Sequence, residues 1–132
     1  VCMTDEAAEA AKKVMNNLFI ALCPMSNLFI HNSLPPVEMM REKGLKLTIG
    51  TDSLSSNDTL DMIKEMLCIH EAYPDIPLGE ILTWACLNGA EFLGKSDILG
   101  SILPGKKPGL VLLDNLSRDG WITSDSHSFR LV

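Results

Sequence analysis

An acidic residue follows an apolar segment that has the length of a buried strand. Residues 45–50 read LKLTIG, and Asp52 comes directly after them in the polar stretch 51–58, TDSLSSND. In parallel α/β folds, ligands meet the loops at the carboxyl ends of the strands. Asp52 is therefore a candidate for catalytic or ligand-binding chemistry. The spacing alone specifies no reaction, and the alternative interpretation of Asp52 is a helix cap or a turn residue.

A second polar loop follows the apolar segment 18–23, LFIALC, and contains Ser26 and Asn27. Together with Ser53 and Asn57 of the first loop, these side chains are candidates for lining a pocket. Serine and asparagine are also common turn formers, so the alternative interpretation is that they only stabilise the two loops.

The segments that would position these loops alternate between helix and strand. Apolar periodicity, prolines and capping residues place helices at about residues 4–16, 35–43, 59–72 and 78–87, with a short helical turn at 90–93. Apolar runs place strands at 18–23, 45–50 and 110–113 and another within 122–132, while 24–34 is predicted to be a long loop. Thr4 or Asp5 is the predicted cap of the first helix and Asp58 that of the third. Strands alternating with helices in this way predict parallel βαβ units and an α/β fold.

Two internal strands form a poor core on their own, because the faces and edges of such a sheet stay uncovered. The sequence therefore predicts that the chain is part of a larger fold. It also predicts that exposed apolar strand edges drive self-association, as a homo-oligomer, or binding of another part of that fold. The chain begins with Val1 rather than methionine, which predicts a missing or processed start.

The composition narrows the class of protein. The net charge is −6 and the sequence pI is about 4.9, whereas a nucleic-acid surface needs clustered lysine and arginine. No apolar run approaches the ~20 residues that span a bilayer. The four cysteines form no CxxC pair, and they are expected to be buried or half-buried free thiols in a reducing cytoplasm: Cys2, Cys23, Cys68 and Cys86.

Three segments carry a resemblance to a known family. Residues 23–62, CPMSNLFIHNSLPPVEMMREKGLKLTIGTDSLSSNDTLDM, resemble the last two barrel units of the amidohydrolase superfamily. The nearest branch contains cytosine, guanine and adenosylhomocysteine deaminases and triazine chlorohydrolases. Residues 84–94, WACLNGAEFLG, and 99–114, LGSILPGKKPGLVLLD, resemble later motifs of the same enzymes, in the same order.

The resemblance implies the fold. Members of the superfamily are (β/α)8 barrels with a small β-sandwich built from both chain ends. Residues 1–98 would then be the last βα units of such a barrel, with parallel strands. Residues 99–132 would be the C-terminal share of the composite β-sandwich. A whole barrel takes about 250 residues, so this chain would be half of one or less.

The resemblance also implies a role for Asp52. In such enzymes the corresponding aspartate binds a divalent metal, zinc or iron, and transfers protons between the attacking water and the leaving nitrogen. The other family ligands are histidines, and His31, His70 and His127 match none of their positions. The opening VCMTDEAA resembles the stretch that follows a metal-binding histidine, so the chain is expected to start just after that ligand.

One position departs from the family pattern. Many deaminases of this branch carry histidine directly before the Cys-Pro pair, and here that residue is Leu22. Leucine can neither polarise a substrate nor shuttle a proton. This departure leaves open a hydrolase with another leaving group, as in dechlorination.

The leading hypothesis is a fragment of a metal-dependent amidohydrolase that hydrolyses C–N bonds on small nitrogenous ring substrates, with Asp52 as its one retained ligand. Alone, the fragment is expected to be inactive, because one carboxylate cannot assemble a site of three or four ligands. Two alternatives stay open: a non-catalytic α/β binding or interaction module, and a degenerate barrel without activity.

Overall fold

The computed structural model describes residues 3–132. The expectations for Cys2 and for the first residue of the chain lie outside the described residues. The elements are, in chain order, α1 Asp5–Val14, β1 Phe19–Leu22, α2 Pro24–His31, α3 Val37–Glu42, β2 Lys46–Ile49, α4 Met62–Ala72, α5 Leu78–Thr83, a π turn Trp84–Asn88, α6 Gly89–Phe92, β3 Val111–Asp114 and β4 His127–Arg130.

The predicted α/β fold is confirmed by the pairing of the first two strands. β1 and β2 are parallel neighbours, with Phe19 opposite Lys46 and Leu22 opposite Ile49. The backbone N–H of Gly50 donates to the carbonyl of Leu22 at 2.9 Å and extends the ladder by one bond. The polar segments that follow β1 and β2 therefore leave the same end of the sheet, which is the geometry that the sequence predicted.

Helices cover one face of this sheet. Leu22 and Leu47 are almost completely buried, and they share one apolar core with residues from the helices: Ala8, Val37, Met40, Ile69 and Ile81. Side chains alternate between the faces of a strand, and Ala21, between two buried neighbours of β1, is exposed. The second face of the strand pair is thus partly open, as expected of a sheet that lacks further strands.

Residues 24–34 were predicted to be a loop, and this prediction is wrong, because residues 24–31 form α2. Pro24 stands at the first helical position, where its missing N–H breaks no hydrogen bond. Asn32 ends the helix in the left-handed region at φ 49°, a conformation that asparagine tolerates better than most residues. The N–H of Met25, in the first turn of α2, also donates to the buried side chain of Glu65. No local sequence pattern reveals this partner.

The start of α4 also differs from the prediction. The helix begins at Met62 rather than near residue 59, and its cap is Asp61, whose Oδ1 accepts the N–H of Ile63 at 2.9 Å. Asp58 is not the cap. The Oδ1 of Asn57 accepts the N–H of Thr59 at 3.3 Å, and this local bond competes with helix formation across the predicted start. Thr4 caps α1, as predicted, by accepting the N–H of Ala7.

The helix predicted at 78–87 and the turn predicted at 90–93 form one continuous helical segment, interrupted only by the π turn. Asn88, within that turn, donates from Nδ2 to the carbonyl of Leu47 at 2.7 Å. The bond satisfies a strand carbonyl at the outer edge of β2. It also explains why the segment does not end at the Asn88–Gly89 pair, as the sequence had indicated.

The C-terminal residues form an antiparallel pair, β3 with β4, in which Val111 lies opposite Arg130. Within the described residues 99–132 these are the strands present. The segment packs on the rest of the chain through buried Ile122 and through Trp121, whose ring stacks on His70 at 3.7 Å. Gly100 fits closely here, because a Cβ on it would lie 2.7 Å from the Cβ of Ala90.

Among the described residues, Cys23, Cys68 and Cys86 form no disulfide; Cys68 is buried and Cys23 half-buried, as predicted, whereas Cys86 is exposed. Burial raises the pKa of Cys68 to about 11, so this thiol stays protonated near neutral pH. Among residues 3–132, every helix is too short or too polar to cross a membrane.

Candidate active site

Asp52 lies three residues after the end of β2 and is exposed. Its backbone is in the left-handed region at φ 55°. Side chains rarely adopt this conformation, and aspartate and asparagine adopt it more readily than most. The cap of the following helix is Asp61, nine positions after Asp52, so Asp52 does not serve as the helix cap that the alternative interpretation proposed.

Two buried serines hold one oxygen of Asp52. Ser26 Oγ lies 3.0 Å from Asp52 Oδ2 and Ser56 Oγ lies 3.1 Å from the same oxygen, while the two hydroxyls are 3.0 Å apart. Each hydroxyl carries one proton, so at most two of these three contacts are hydrogen bonds at one time. Either both serines donate to the carboxylate, or Ser26 donates to Ser56 and Ser56 donates to Asp52. Both arrangements fix the orientation of the Asp52 side chain.

A buried glutamate lies beneath this group. Glu65, in α4, is fully buried, and its Oε2 accepts the N–H of Met25 at 2.9 Å. Its Oε1 accepts a hydrogen bond from Asn57 Nδ2 at 2.6 Å, and the same amide nitrogen donates to the carbonyl of Thr51 at 3.0 Å. Burial raises the pKa of Glu65, and the two hydrogen bonds oppose that rise in part.

The predicted pocket residues fall into two groups. Ser26 reaches Asp52 directly, and Asn57 reaches its loop through the carbonyl of Thr51. Asn27 is buried in the first turn of α2, next to Ser26. Ser53 is exposed, and its hydroxyl lies 2.6 Å from that of Ser55. The structure thus gathers Ser26 and Asn57 around Asp52 and its loop, and it leaves Ser53 on the surface.

Leu22, which directly precedes the Cys-Pro pair, contributes no polar group to the site. Leu22 is completely buried within the apolar core. Burial raises the pKa of the Cys23 thiol, and the nearby carboxylates of Asp52 and Glu65 raise it further. A raised pKa disfavours the thiolate, which is the nucleophilic form, so Cys23 is not a suitable nucleophile at neutral pH.

Asp52 could serve as one ligand of a divalent metal, because carboxylate oxygen is a common donor to such ions. Residues 3–132 contain no cluster of three or more His, Cys, Asp or Glu side chains that could hold an ion. His31 is exposed at the end of α2, His70 stacks on Trp121, and His127 lies in β4. Within the described residues Asp52 is therefore a single candidate ligand, and a site of three or four ligands would need others.

Sequence reasoning assigned no site role to Glu65 or to Ser56. A weak signal existed for Glu65, because it precedes Ile69 by four residues and so shares a helix face with a buried side chain. A charged residue on the apolar face of a helix is rarely buried without partners. The identity of those partners could not be read from the sequence.

Comparison with known proteins identifies the class. A model of the amidohydrolase family matches residues 1–126. The chain therefore belongs to the amidohydrolase family, as its motifs had indicated.

Individual relatives narrow the comparison. A "5-methylthioadenosine/S-adenosylhomocysteine deaminase" of Moorella thermoacetica is 37% identical over 118 residues, which cover 84% of this chain and 27% of the relative. A "5'-deoxyadenosine deaminase" of Methanosarcina acetivorans is 33% identical over 98 residues, or 69% of this chain and 22% of the relative. The chain thus spans about a quarter of the length of the curated relatives it matches.

Solved structures agree with this placement. A zinc-bound adenosine deaminase from Xanthomonas campestris superposes with a TM-score of 0.71 at 29% identity, over 85% of this chain and 27% of that one. Aminofutalosine deaminase of Helicobacter pylori, in complex with methylthio-coformycin, gives a TM-score of 0.67 at 29% identity, over 80% of this chain and 26% of that one.

Proposed function

We propose that this chain provides the C-terminal units of a metal-dependent hydrolase that releases ammonia from a small nitrogenous ring. Residues 1–98 would complete a (β/α)8 barrel, and residues 99–132 would contribute to a β-sandwich beside it. The observation that carries the proposal is the placement of Asp52. It follows a parallel strand and is held by Ser26 and Ser56 in a chain whose relatives are named as deaminases.

Asp52 would act both as a metal ligand and as the group that moves protons. A bound Zn²⁺ or Fe²⁺ ion would lower the pKa of the attacking water toward neutrality. The Asp52 carboxylate would accept a proton from that water and return it to the leaving nitrogen. Ser26 and Ser56 both engage Oδ2, which fixes the orientation of the carboxylate and leaves Oδ1 for the reacting groups.

The substrate class follows from the relatives rather than from a pocket in this chain. The curated relatives are named for methylthioadenosine, adenosylhomocysteine and 5'-deoxyadenosine, so an adenine nucleoside is the first candidate substrate. Leu22 stands where a polar group would assist catalysis, and it keeps chloride displacement from a triazine as the second candidate chemistry. Described cysteines that form no disulfide favour a reducing compartment, and a cytoplasmic location remains part of the proposal.

The described residues, with one carboxylate ligand, would be inactive alone. Activity would require the remaining ligands from another part of the fold, on the same chain or on a bound one. A homo-oligomer is one way to cover the open face of the sheet. A non-catalytic module or a degenerate barrel would have the same fold, and the following experiment separates these possibilities.

The test uses the full-length protein that contains this sequence. We expect it to contain about one divalent ion per chain, measured by elemental analysis, and to deaminate an adenine nucleoside in a screen with guanine and chlorotriazines. Asp52→Asn preserves the left-handed backbone preference and the side-chain size, and it should lower kcat by about 10²–10⁴-fold and reduce the metal content.

Asp58→Asn is the matched control, because Asp58 is an exposed aspartate of the same loop. It should leave the metal content and kcat near their wild-type values. A wild-type protein that binds no metal and turns over none of these rings would favour the non-catalytic alternatives.

A further inference from the structure

Glu65 lies at a junction between α2 and the loop after β2. It belongs to α4 and is fully buried, and each of its two oxygens accepts a hydrogen bond, one from α2 and one from the loop after β2. One donor is the backbone of Met25, and the other is the side chain of Asn57. The residues that these bonds join are 40 and 8 positions apart in the chain.

We propose that Glu65 is a positioning residue that fixes the Asp52 carboxylate in its reactive orientation. The inference rests on the proposed function, and it adds a residue that neither the sequence motifs nor the comparisons assign to the reaction.

The first set of contacts that links Glu65 to Asp52 runs through α2. Glu65 holds the N–H of Met25, in the first turn of the helix, and Ser26 is the next residue. The Ser26 hydroxyl then contacts Asp52 Oδ2 at 3.0 Å. A carboxylate at the N-terminus of a helix is also favoured by the helix dipole. The position of the Ser26 donor therefore depends on the anchoring of α2 to Glu65.

The second set of contacts that links Glu65 to Asp52 runs through the loop after β2. Asn57 uses both protons of its amide, one for Glu65 and one for the carbonyl of Thr51, and its Oδ1 accepts the N–H of Thr59. Thr51 directly precedes Asp52, whose backbone is in the left-handed region. The amide of Asn57 therefore holds the loop in the conformation that directs Asp52, and Glu65 fixes the orientation of that amide.

Both partners of Glu65 are hydrogen-bond donors, and this makes one substitution especially informative. Glu65→Gln has the same shape, but its amide places an N–H group against a donor in either flip state. One of the two hydrogen bonds to residue 65 must then break or shift. Displacement of a catalytic group by about 1 Å can cost about 100-fold in rate, so we expect kcat of Glu65→Gln to fall by about 10- to 100-fold.

A merely structural role would not give the same pattern. For the positioning role, kcat should fall in protein that stays folded at the assay temperature, while KM changes less than about threefold, since the lost interaction acts on the reacting groups. Hydrogen exchange of the metal-free protein should also become faster at residues 24–27 and 51–59. Glu71→Gln is the matched control, because Glu71 is an exposed glutamate of the same helix, and it should change neither readout.

Other outcomes would overturn the inference. If folded Glu65→Gln keeps the wild-type kcat, or if exchange is unchanged at both residues 24–27 and residues 51–59, Glu65 does not position Asp52. Glu65→Asp decides the matter if the glutamine variant does not fold, because it keeps the charge and withdraws the oxygens by one methylene. It should show the same changes to a smaller extent, and wild-type behaviour would reject the proposal. Because the exchange measurement needs neither metal nor substrate, it tests Glu65 even if the proposed reaction is wrong.

Discussion

Asp52 combines an unusual backbone conformation with two hydroxyl donors to a single oxygen. The left-handed φ of 55° favours aspartate, asparagine or glycine at this position. Only aspartate among these also provides a negative charge. The serines reach it from two directions, Ser26 from α2 and Ser56 from the same loop. The carboxylate is thus oriented by groups that water cannot easily replace, since both serines are buried.

At the scale of single residues, Ser26→Ala and Ser56→Ala test whether the hydroxyls act as one unit. Each single variant keeps one donor to the exposed Asp52, so each should lower the free energy of unfolding by at most about 1 kcal/mol. The double variant loses both donors, and its cost should exceed the sum of the two single costs. Denaturant unfolding of the three variants measures this coupling.

Ser55→Ala is the control for the serine pair, because the exposed Ser55 hydroxyl contacts Ser53 rather than Asp52. It should change the unfolding free energy by less than about 0.5 kcal/mol. Strictly additive costs for Ser26 and Ser56 would mean that the two hydroxyls orient Asp52 independently.

At the scale of elements, α2 and the loop after β2 are joined through α4. The carboxylate of Glu65 is the point at which all three meet. The site is therefore not formed by α2 and the loop after β2 alone. It requires a third element to pack against both of them.

This junction predicts a pH dependence of stability. Burial raises the pKa of Glu65 above its ordinary value of 4.5 in the folded chain. Between the ordinary and the raised pKa, the folded chain binds more protons than the unfolded chain, so the free energy of unfolding should fall as the pH rises through this window. Glu65→Gln does not titrate, and the difference in stability between wild type and variant should show this slope. Denaturant unfolding between about pH 4 and 8 measures this slope.

The comparison with Glu71→Gln separates this effect from the titration of other carboxyl groups. Removing the exposed carboxyl of the same helix should leave the slope in place. An equal slope in Glu65→Gln and wild type would show that Glu65 does not produce it.

At the scale of the whole molecule, the C-terminal segment carries a large share of the exposed apolar surface. A groove of about 690 Å³ is lined by Leu99, Ile102, Leu103 and Leu110, among others. Contiguous apolar surface of this kind favours association. The exposed Ala21 face of the strand pair adds a second open region.

We expect the chain of 132 residues to self-associate in solution through such surfaces. Ile102→Lys should reduce the association, because Ile102 is 78% exposed within the groove and a charge there opposes burial. Val14→Lys is the matched control, since Val14 is 84% exposed but lies on α1, away from the groove residues. Light scattering over a range of concentrations measures the mass. A stable monomer at all concentrations would contradict the prediction.

The alternation of helices and strands could be predicted because it depends on local patterns. Two apolar runs predicted β1 and β2, and the end of the second run predicted the loop position of Asp52. The prediction failed for α2 because its eight residues include no side-chain cap of their own. It also misplaced the start of α4, where Asn57 and Asp61 compete for nearby backbone N–H groups.

The sequence by itself determined the parallel strand order, the placement of Asp52 at a strand end and the family motifs, because each depends on residues that are close together in the chain. The tertiary structure decided which side chains surround Asp52. Ser26 and Asp52 are separated by 26 positions, and Met25 and Glu65 by 40. Hydrogen bonds over such separations exist only after the helices pack and exclude water, and that packing gives Glu65 and Ser56 their roles.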